Sequence, residues 1–467
     1  MKRLISIITC GIFLFVNTSL SVFADWTQSQ KIKEPTPVAS NQMGLYEESI
    51  AVDTYLVIGV QNYSSNQGTV YVYRDDDDDG LWDTDEGDVI QLEASDKANG
   101  DYFGHSVDTD GNYIIVGAYL DDDTNSGSGS AYVYEYDGAG WASTDWVEDK
   151  LIATDNDEDD HFGASVSIYD DSGTAYAGIG APLDNEEDTN AGAAYTFKEV
   201  TDGNWGDEQK LTASDAASGD KLGLSTDIGL DTFVVGSPEE DGTEAGSAYV
   251  FTKSGATWGS TGNENGILTM DSQGGVDMLG SAVAINDAGD RIAVGAYKDG
   301  GGRGAVLTYN EPGGGWASAT ETAKIQPVGW EAGEKFGFSI DMNNEGTKLI
   351  GGAFERGQNN DGAAYVFSTS DGGATWVDDN DTEEEVANDT LMQSDDVGQL
   401  DNQGSAVAIN DTYLFFSSPN DDDDQNNSGA VFYYSSVALG GGGGVPEFST
   451  YVYVFTLMVA FSAINAQ

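Results

Sequence analysis

One feature recurs seven times along this chain and limits its fold more than any other. A glycine, preceded by Phe or Leu in five copies, stands at Gly44, Gly104, Gly163, Gly223, Gly280, Gly337 and Gly404, at intervals of 60, 59, 60, 57, 57 and 67 residues. A second mark follows 13 to 17 residues later. It reads Ile58-Gly59-Val60, Val116-Gly117-Ala118, Gly180-Ala181-Pro182, Gly236-Ser237-Pro238, Gly295-Ala296-Tyr297, Gly352-Ala353-Phe354 and Ser417-Ser418-Pro419. A third is a Gly before an aromatic-rich run, as in Gly129-Ser130-Ala131-Tyr132-Val133-Tyr134. A fourth is a Trp ahead of a short strand such as Lys150-Leu151-Ile152-Ala153 or Lys210-Leu211-Thr212-Ala213. Repetition at such a period makes each copy one supersecondary unit that buries its faces against its neighbours.

Each unit reads as four short strands, β-branched or aromatic, alternating with small residues and bounded by Gly, Asp and Asn turns. No segment between the two ends keeps a 3.6-residue period. Seven four-stranded units fit a β-propeller better than a solenoid. The expected fold is all-β, a seven-bladed propeller of four-stranded antiparallel blades over residues 25–436. The last unit stops at its third strand, near Tyr434, whereas Trp26 and Lys31-Ile32 match Trp205 and Lys210-Leu211. The N-terminal strand is therefore expected to complete the seventh blade and close the ring, pairing two edges that would otherwise be exposed.

The two ends differ from the repeats. Lys2 and Arg3, the mostly apolar Leu4 to Val16 and the small-x-small-like Val22-Phe23-Ala24 read as a secretory signal over residues 1–24. Cys10, the single cysteine, lies inside it, so the mature chain would have no disulfide and no thiol chemistry. Residues 437–447, with the run Gly440 to Gly444, read as a flexible linker, and 448–467 as a hydrophobic C-terminal segment. Pro446-Glu447-Phe448 ahead of the apolar Tyr451 to Ala463 resembles prokaryotic sorting tails, although the basic end of such tails is missing at Asn465-Ala466-Gln467. That resemblance implies a secreted or cell-surface protein anchored at its C-terminus, with membrane contact only through this tail.

The charge narrows the partners. Lys and Arg total 18 against 81 Asp and Glu, a formal charge of −63. A polyanion gains no counterion release by meeting another, so nucleic acid is excluded as a partner. Anionic lipid headgroups are disfavoured for the same reason. The only histidines, His105 and His161, each adjoin a repeat glycine and read as blade-junction hydrogen-bonders, not zinc ligands. There is no nucleophile elbow in a strand-to-helix context and no phosphate-cradling fingerprint, so the chain does not read as an enzyme. Trp82, Trp141, Trp205, Trp258, Trp316 and Trp376 read as packing marks.

Phe103-Gly104, Phe162-Gly163 and Phe336-Gly337 with Gly180-Ala181-Pro182 resemble the FG-GAP repeat family, whose best-known relatives form the integrin α-subunit propeller. The resemblance runs from about Trp26 to Tyr434. It implies a propeller and a role in adhesion or ligand recognition, with an extracellular protein or polysaccharide as partner. Integrin-type repeats carry a calcium loop between the two halves of the signature. Here that interval is a tight turn, as in Asp108-Thr109-Asp110-Gly111-Asn112, so those sites do not carry over and the chain looks closer to short-looped prokaryotic surface proteins.

Two sets of acidic loops are expected on one face. Asp121-Asp122-Asp123, Glu186-Glu187-Asp188, Glu239-Glu240-Asp241 and Asp421 to Asp424 lie between second and third strands. Asp157 to Asp160, Asp215 and Asp395-Asp396 lie between fourth and next first strands. They form either a cation- or ligand-binding face or a strongly hydrated one. On the opposite face, Asp75 to Glu86 fits the calcium-loop pattern D-x-D-x-D-G-x5-E. Calcium takes six to eight oxygens. Carboxylates at Asp75, Asp77 and Asp79, the Leu81 carbonyl, Asp83 and a bidentate Glu86 would supply them, with Gly80 at the sharp turn. The leading reading is an exported, surface-attached, calcium-binding propeller for adhesion or ligand recognition. Its alternatives are a hydrolase or lyase on polysaccharide or phosphoester using loop carboxylates and calcium, and a structural cell-envelope component.

Overall fold

A computed structural model describes residues 27–75, 81–84, 88–201, 203–239, 245–255, 257–259, 264–271, 276–327, 332–357, 360–378, 391–392, 401–422 and 427–435. The signal segment, the linker and the C-terminal segment lie outside these residues. Among the described residues no helix is long and apolar enough to cross a membrane.

Seven small antiparallel sheets follow one another along the chain. The second blade shows the unit most completely, with strands Val107–Asp110, Tyr113–Ala118, Ser130–Tyr136 and Trp146–Leu151 hydrogen-bonded in chain order. Its second strand is buried at every residue because neighbouring blades cover both of its faces. That is why Ile114-Ile115-Val116 is a continuous β-branched run and does not alternate with polar residues. The first strands form the innermost circle. Ile50–Val52 of the first blade packs against Val107–Asp110 on one side and Val407–Ile409 on the other, so the circle is closed.

Closure is made by hydrogen bonding between strands from the two ends of the repeat region, as the sequence implies. Thr27–Ile32 pairs antiparallel with Ala430–Ser435 as the outermost strand of the seventh blade, and Ile32 is fully buried there. Gln30 then brackets the first blade: its Nε2 donates to the Trp82 carbonyl at 2.8 Å and its Oε1 accepts the Trp82 N–H at 3.0 Å.

The two glycine marks meet at the blade junctions. Gly104 has φ +84°, a region that suits glycine. Its N–H donates to the Gly117 carbonyl of its own blade at 3.0 Å. A Cβ on Gly59 of the preceding blade would lie 2.1 Å from the Gly104 carbonyl oxygen. The same backbone-on-backbone approach joins Gly117 to Gly163, Gly180 to Gly223, Gly236 to Gly280, Gly295 to Gly337 and Gly352 to Gly404. A serine two residues after the first glycine latches several junctions. Ser106, Ser165, Ser225 and Ser339 donate to Gly163, Gly223, Gly280 and Gly404 at 3.1, 3.0, 3.0 and 3.0 Å.

Apolar clusters fill the spaces between blades, joining Val57 and Val72 of the first to Phe103, Val116 and Tyr132 of the second. The tryptophans reach back onto the preceding blade: Trp82 onto Tyr413 and Phe415, Trp205 onto Tyr113, Trp258 onto Tyr176. Two blades depart from the four-strand plan. The fourth gains the short parallel strand Ala319–Thr320 beside Gly266–Thr269. In the sixth, Val377–Asp378 and Leu391–Met392 share the outer position against Ala364–Ser368.

Candidate functional site

The loops between second and third strands and those between blades share one face. Their acidic side chains are brought together by a tyrosine of the third strand and the lysine opposite it on the fourth. Tyr132 pairs with Lys150, and Tyr195 with Lys210. Lys150 Nζ lies 2.8 Å from Asp121, 2.8 Å from Asp123 and 2.7 Å from Asp96 of the loop entering this blade. The Tyr132 hydroxyl lies 2.8 and 2.7 Å from Asp96 and Asp121. The third blade repeats the cage, with Lys210 at 2.7 Å from each of Asp155, Asp184 and Glu186.

Asp96, Asp121 and Asp123 bring carboxylate oxygens within 4.8 Å of one another, a spacing a metal would accept. The Lys150 ammonium stands among them instead. Burial opposes charge on Lys150, but its bonds to Asp121, Asp123 and Asp96 outweigh that and raise its pKa. For Asp155 burial acts upward, yet the bond from Lys210 and its charge hold the carboxyl below its ordinary range. The acidic loops of these two blades are thus bridged by one ammonium among three carboxylates each, which offsets part of their charge and leaves each cage net acidic. A related pair, Lys31 and Asp421 at 2.6 Å, serves the closing blade.

Inside these loops lies the mouth of the central channel. Tyr46, 37% exposed, packs on His105 at 4.6 Å between ring centroids, and His105 on Tyr119 at 4.3 Å. Across the mouth, Phe338 packs on Phe354 at 4.4 Å and on Tyr297 at 5.6 Å. Burial pushes the His105 imidazole down to about 3, so it is neutral near pH 7. Its Nδ1 lies 2.9 Å from Gln61 Oε1, which joins the first two blades as a junction hydrogen bond. A groove lined by Tyr46, Glu47, Glu48, His105, Ala164 and Leu224 runs from the first blade toward the fourth.

An insertion builds this groove. Gly104 and Ser106 are separated by one residue, whereas Gly44 and the equivalent Ser49 are separated by Leu45, Tyr46, Glu47 and Glu48. The equivalence is fixed by the backbone, since Gly59 donates to Ser49 at 2.8 Å as Gly117 donates to Ser106 at 2.9 Å. The extra residues push Tyr46 to Glu48 over the channel. Sequence reasoning did not single them out, although the longer spacing was the available signal. It noted Lys150 and Lys210 only as strand marks.

Of the expected calcium loop, Asp75, Leu81 and Asp83 are described. Asp75 accepts the Tyr413 hydroxyl at 3.5 Å, Leu81 is exposed, and the Asp83 N–H donates to the Arg74 carbonyl at 2.9 Å. Asp77, Asp79 and Glu86 lie outside the described residues.

Three stretches, residues 87–134, 146–197 and 205–251, match the model of the FG-GAP repeat. No curated protein matches the chain in sequence.

Proposed function

We propose that this seven-bladed propeller, three stretches of which match the FG-GAP repeat, is an exported, cell-surface-attached protein that binds an extracellular protein or polysaccharide at the channel mouth of its loop face, in keeping with a fold that suggests an extracellular ligand-recognition module. The observation that carries this reading is the groove in which Tyr46 and His105 stand beside Glu47 and Glu48. Aromatic faces with carboxylates at their edge offer stacking area and hydrogen-bond acceptors together, which suits hydroxyl-rich or cationic groups. The lysine cages support it by tying the surrounding loops down and offsetting part of their negative charge. Calcium at the loop of Asp75 to Glu86, on the opposite face, belongs to the same proposal as a stabilising ion.

Pull-down against isolated cell envelopes and extracellular polysaccharide, in calcium and in chelator, tests the reading. Wild type is expected to be retained and a Tyr46→Ala, Glu47→Gln double variant to be lost. Equal retention of both would remove the mouth as the site. Turnover of a glycan or phosphodiester that Glu47→Gln abolishes would make the protein a hydrolase instead. Calorimetry with calcium on wild type and Asp79→Ala tests the loop; equal binding by both disposes of it.

A further inference from the structure

The channel below the mouth differs from the cages in its charge balance. It is lined by acids from several blades, and by no lysine or arginine among the described residues. Three of these acids occupy one repeat position. Asp108, Asp227 and Asp341 stand four residues after the repeat glycine in the second, fourth and sixth blades, where the third, fifth and seventh have Ser167, Ala284 and Ala408. Each carboxylate is pinned to the channel wall. Asp108 accepts the Ile168 N–H, Asp227 the Ile285 N–H and Asp341 the Ile409 N–H, all at 2.7 Å and all on the following blade. The other oxygen of each accepts the N–H of the next residue, at 2.8, 2.8 and 2.7 Å.

Glu48 enters this space from the insertion. Its Oε1 accepts the Thr226 N–H of the fourth blade at 3.4 Å, so the side chain reaches across the channel. Its Oε2 exposes less than 1 Å² and has no hydrogen-bond partner among the described residues. An enclosed carboxylate oxygen with no donor, facing other carboxylates, is among the costliest arrangements a protein can hold. The chain places a lysine in the loop cages described above and none here. The cavity of about 140 Å³ has room for an ion with several waters.

We infer that the central channel holds a hard divalent cation of the calcium or magnesium class, with Glu48 Oε2 as its direct ligand and Asp108, Asp227 and Asp341 holding its water shell. Among the described residues only Asp96, Asp121 and Asp123 gather three carboxylate oxygens within 4.8 Å, so the channel aspartates act through water. The ion ties the first blade to the second, fourth and sixth through the axis of the ring. This site is separate from the loop of Asp75 to Glu86, and it stands whether or not the mouth above it binds a ligand.

The test is calorimetric titration of the full chain with calcium and with magnesium, for wild type, Glu48→Gln, Asp227→Asn and Asp79→Ala, with melting curves in cation and in chelator. Wild type is expected to bind, and Asp79→Ala to keep the channel event. Glu48→Gln and Asp227→Asn should lose it or weaken it at least about tenfold, roughly 1.4 kcal/mol. Glu48→Gln should also lose the cation-dependent rise in melting temperature. Glu48→Gln is nearly isosteric, so it decides the matter if Asp227→Asn fails to fold. Four results would overturn the inference: no binding by wild type, binding that only Asp79→Ala removes, isotherms unchanged in Glu48→Gln, or a Glu48→Gln protein that melts higher in chelator yet keeps the full cation response.

Discussion

Lys150 shows how much a single side chain settles here. It satisfies three carboxylates drawn from two loops, one of which enters the blade from the preceding one, and one of the three, Asp121, is buried. Removing the ammonium leaves Asp121 and Asp123 facing Asp96 with no counter-charge. Lys150→Met should therefore destabilise the protein by about 2–4 kcal/mol, near the range for breaking a buried pair after allowance for partial exposure. Urea unfolding would measure it, and a change within about 0.5 kcal/mol, ordinary for a surface site, would contradict the cage. The lysine was legible as a recurring strand mark, because Lys-Leu follows the tryptophan in two repeats. Its three partners were not, because they meet only when the loop entering a blade folds beside that same blade's second loop. Glu48 was hidden for a related reason: its place over the channel depends on aligning Ser49 with Ser106, which the hydrogen bonds of Gly59 and Gly117 establish.

At the scale of elements, the strand Thr27–Ile32 has the largest single consequence. Its pairing with Ala430–Ser435 converts an open array into a ring, buries Ile32 and fixes Trp82 through Gln30. Deleting residues 27–32 should lower the melting temperature on the order of 10 °C, from the lost ladder and the lost apolar burial, and should promote association through the bared edge. An unchanged melting curve would refute closure. This strand was readable because Lys31-Ile32 repeats Lys210-Leu211, and the order within each blade was readable from the short turns between marks. The extra strand Ala319–Thr320 was not. Gly266 lets that segment approach, since a Cβ there would lie 2.4 Å from the Ala317 carbonyl carbon, and nothing local in Ala319-Thr320 announces a partner that precedes it by three intervening strands. The glycine marks were legible as punctuation, but their meaning as facing pairs across junctions, such as Gly117 against Gly163, appears only in three dimensions. The closing junction has Ser417 in place of the second glycine, and a Cβ on Gly44 would lie 2.6 Å from the Ser417 Cβ.

The molecule as a whole carries its acidity into its interior. Burial pushes the Glu34 carboxyl up to about 7 and those of Asp101 and Asp160 to about 6. These folded-state values lie above the ordinary carboxylate values of about 4, so the native protein holds more protons than the unfolded chain between about pH 4 and pH 7. Their stabilising contribution is complete below pH 4 and is lost as the pH rises through 6 to 7. The melting temperature in chelator should accordingly rise by several degrees between pH 8 and pH 5; a fall over that window would show that the paired carboxylates, such as Asp155, dominate instead. The same ring geometry that buries these acids also gathers the first strands around one channel, with the aromatic groove at its loop-face mouth. Hydrogen exchange on the protein bound to the envelope polysaccharide that retains it tests that arrangement most directly. Protection confined to residues 45–49, 102–106 and 336–339 around the mouth is the expected result; protection on the turns of the opposite face, or none at all, would contradict it.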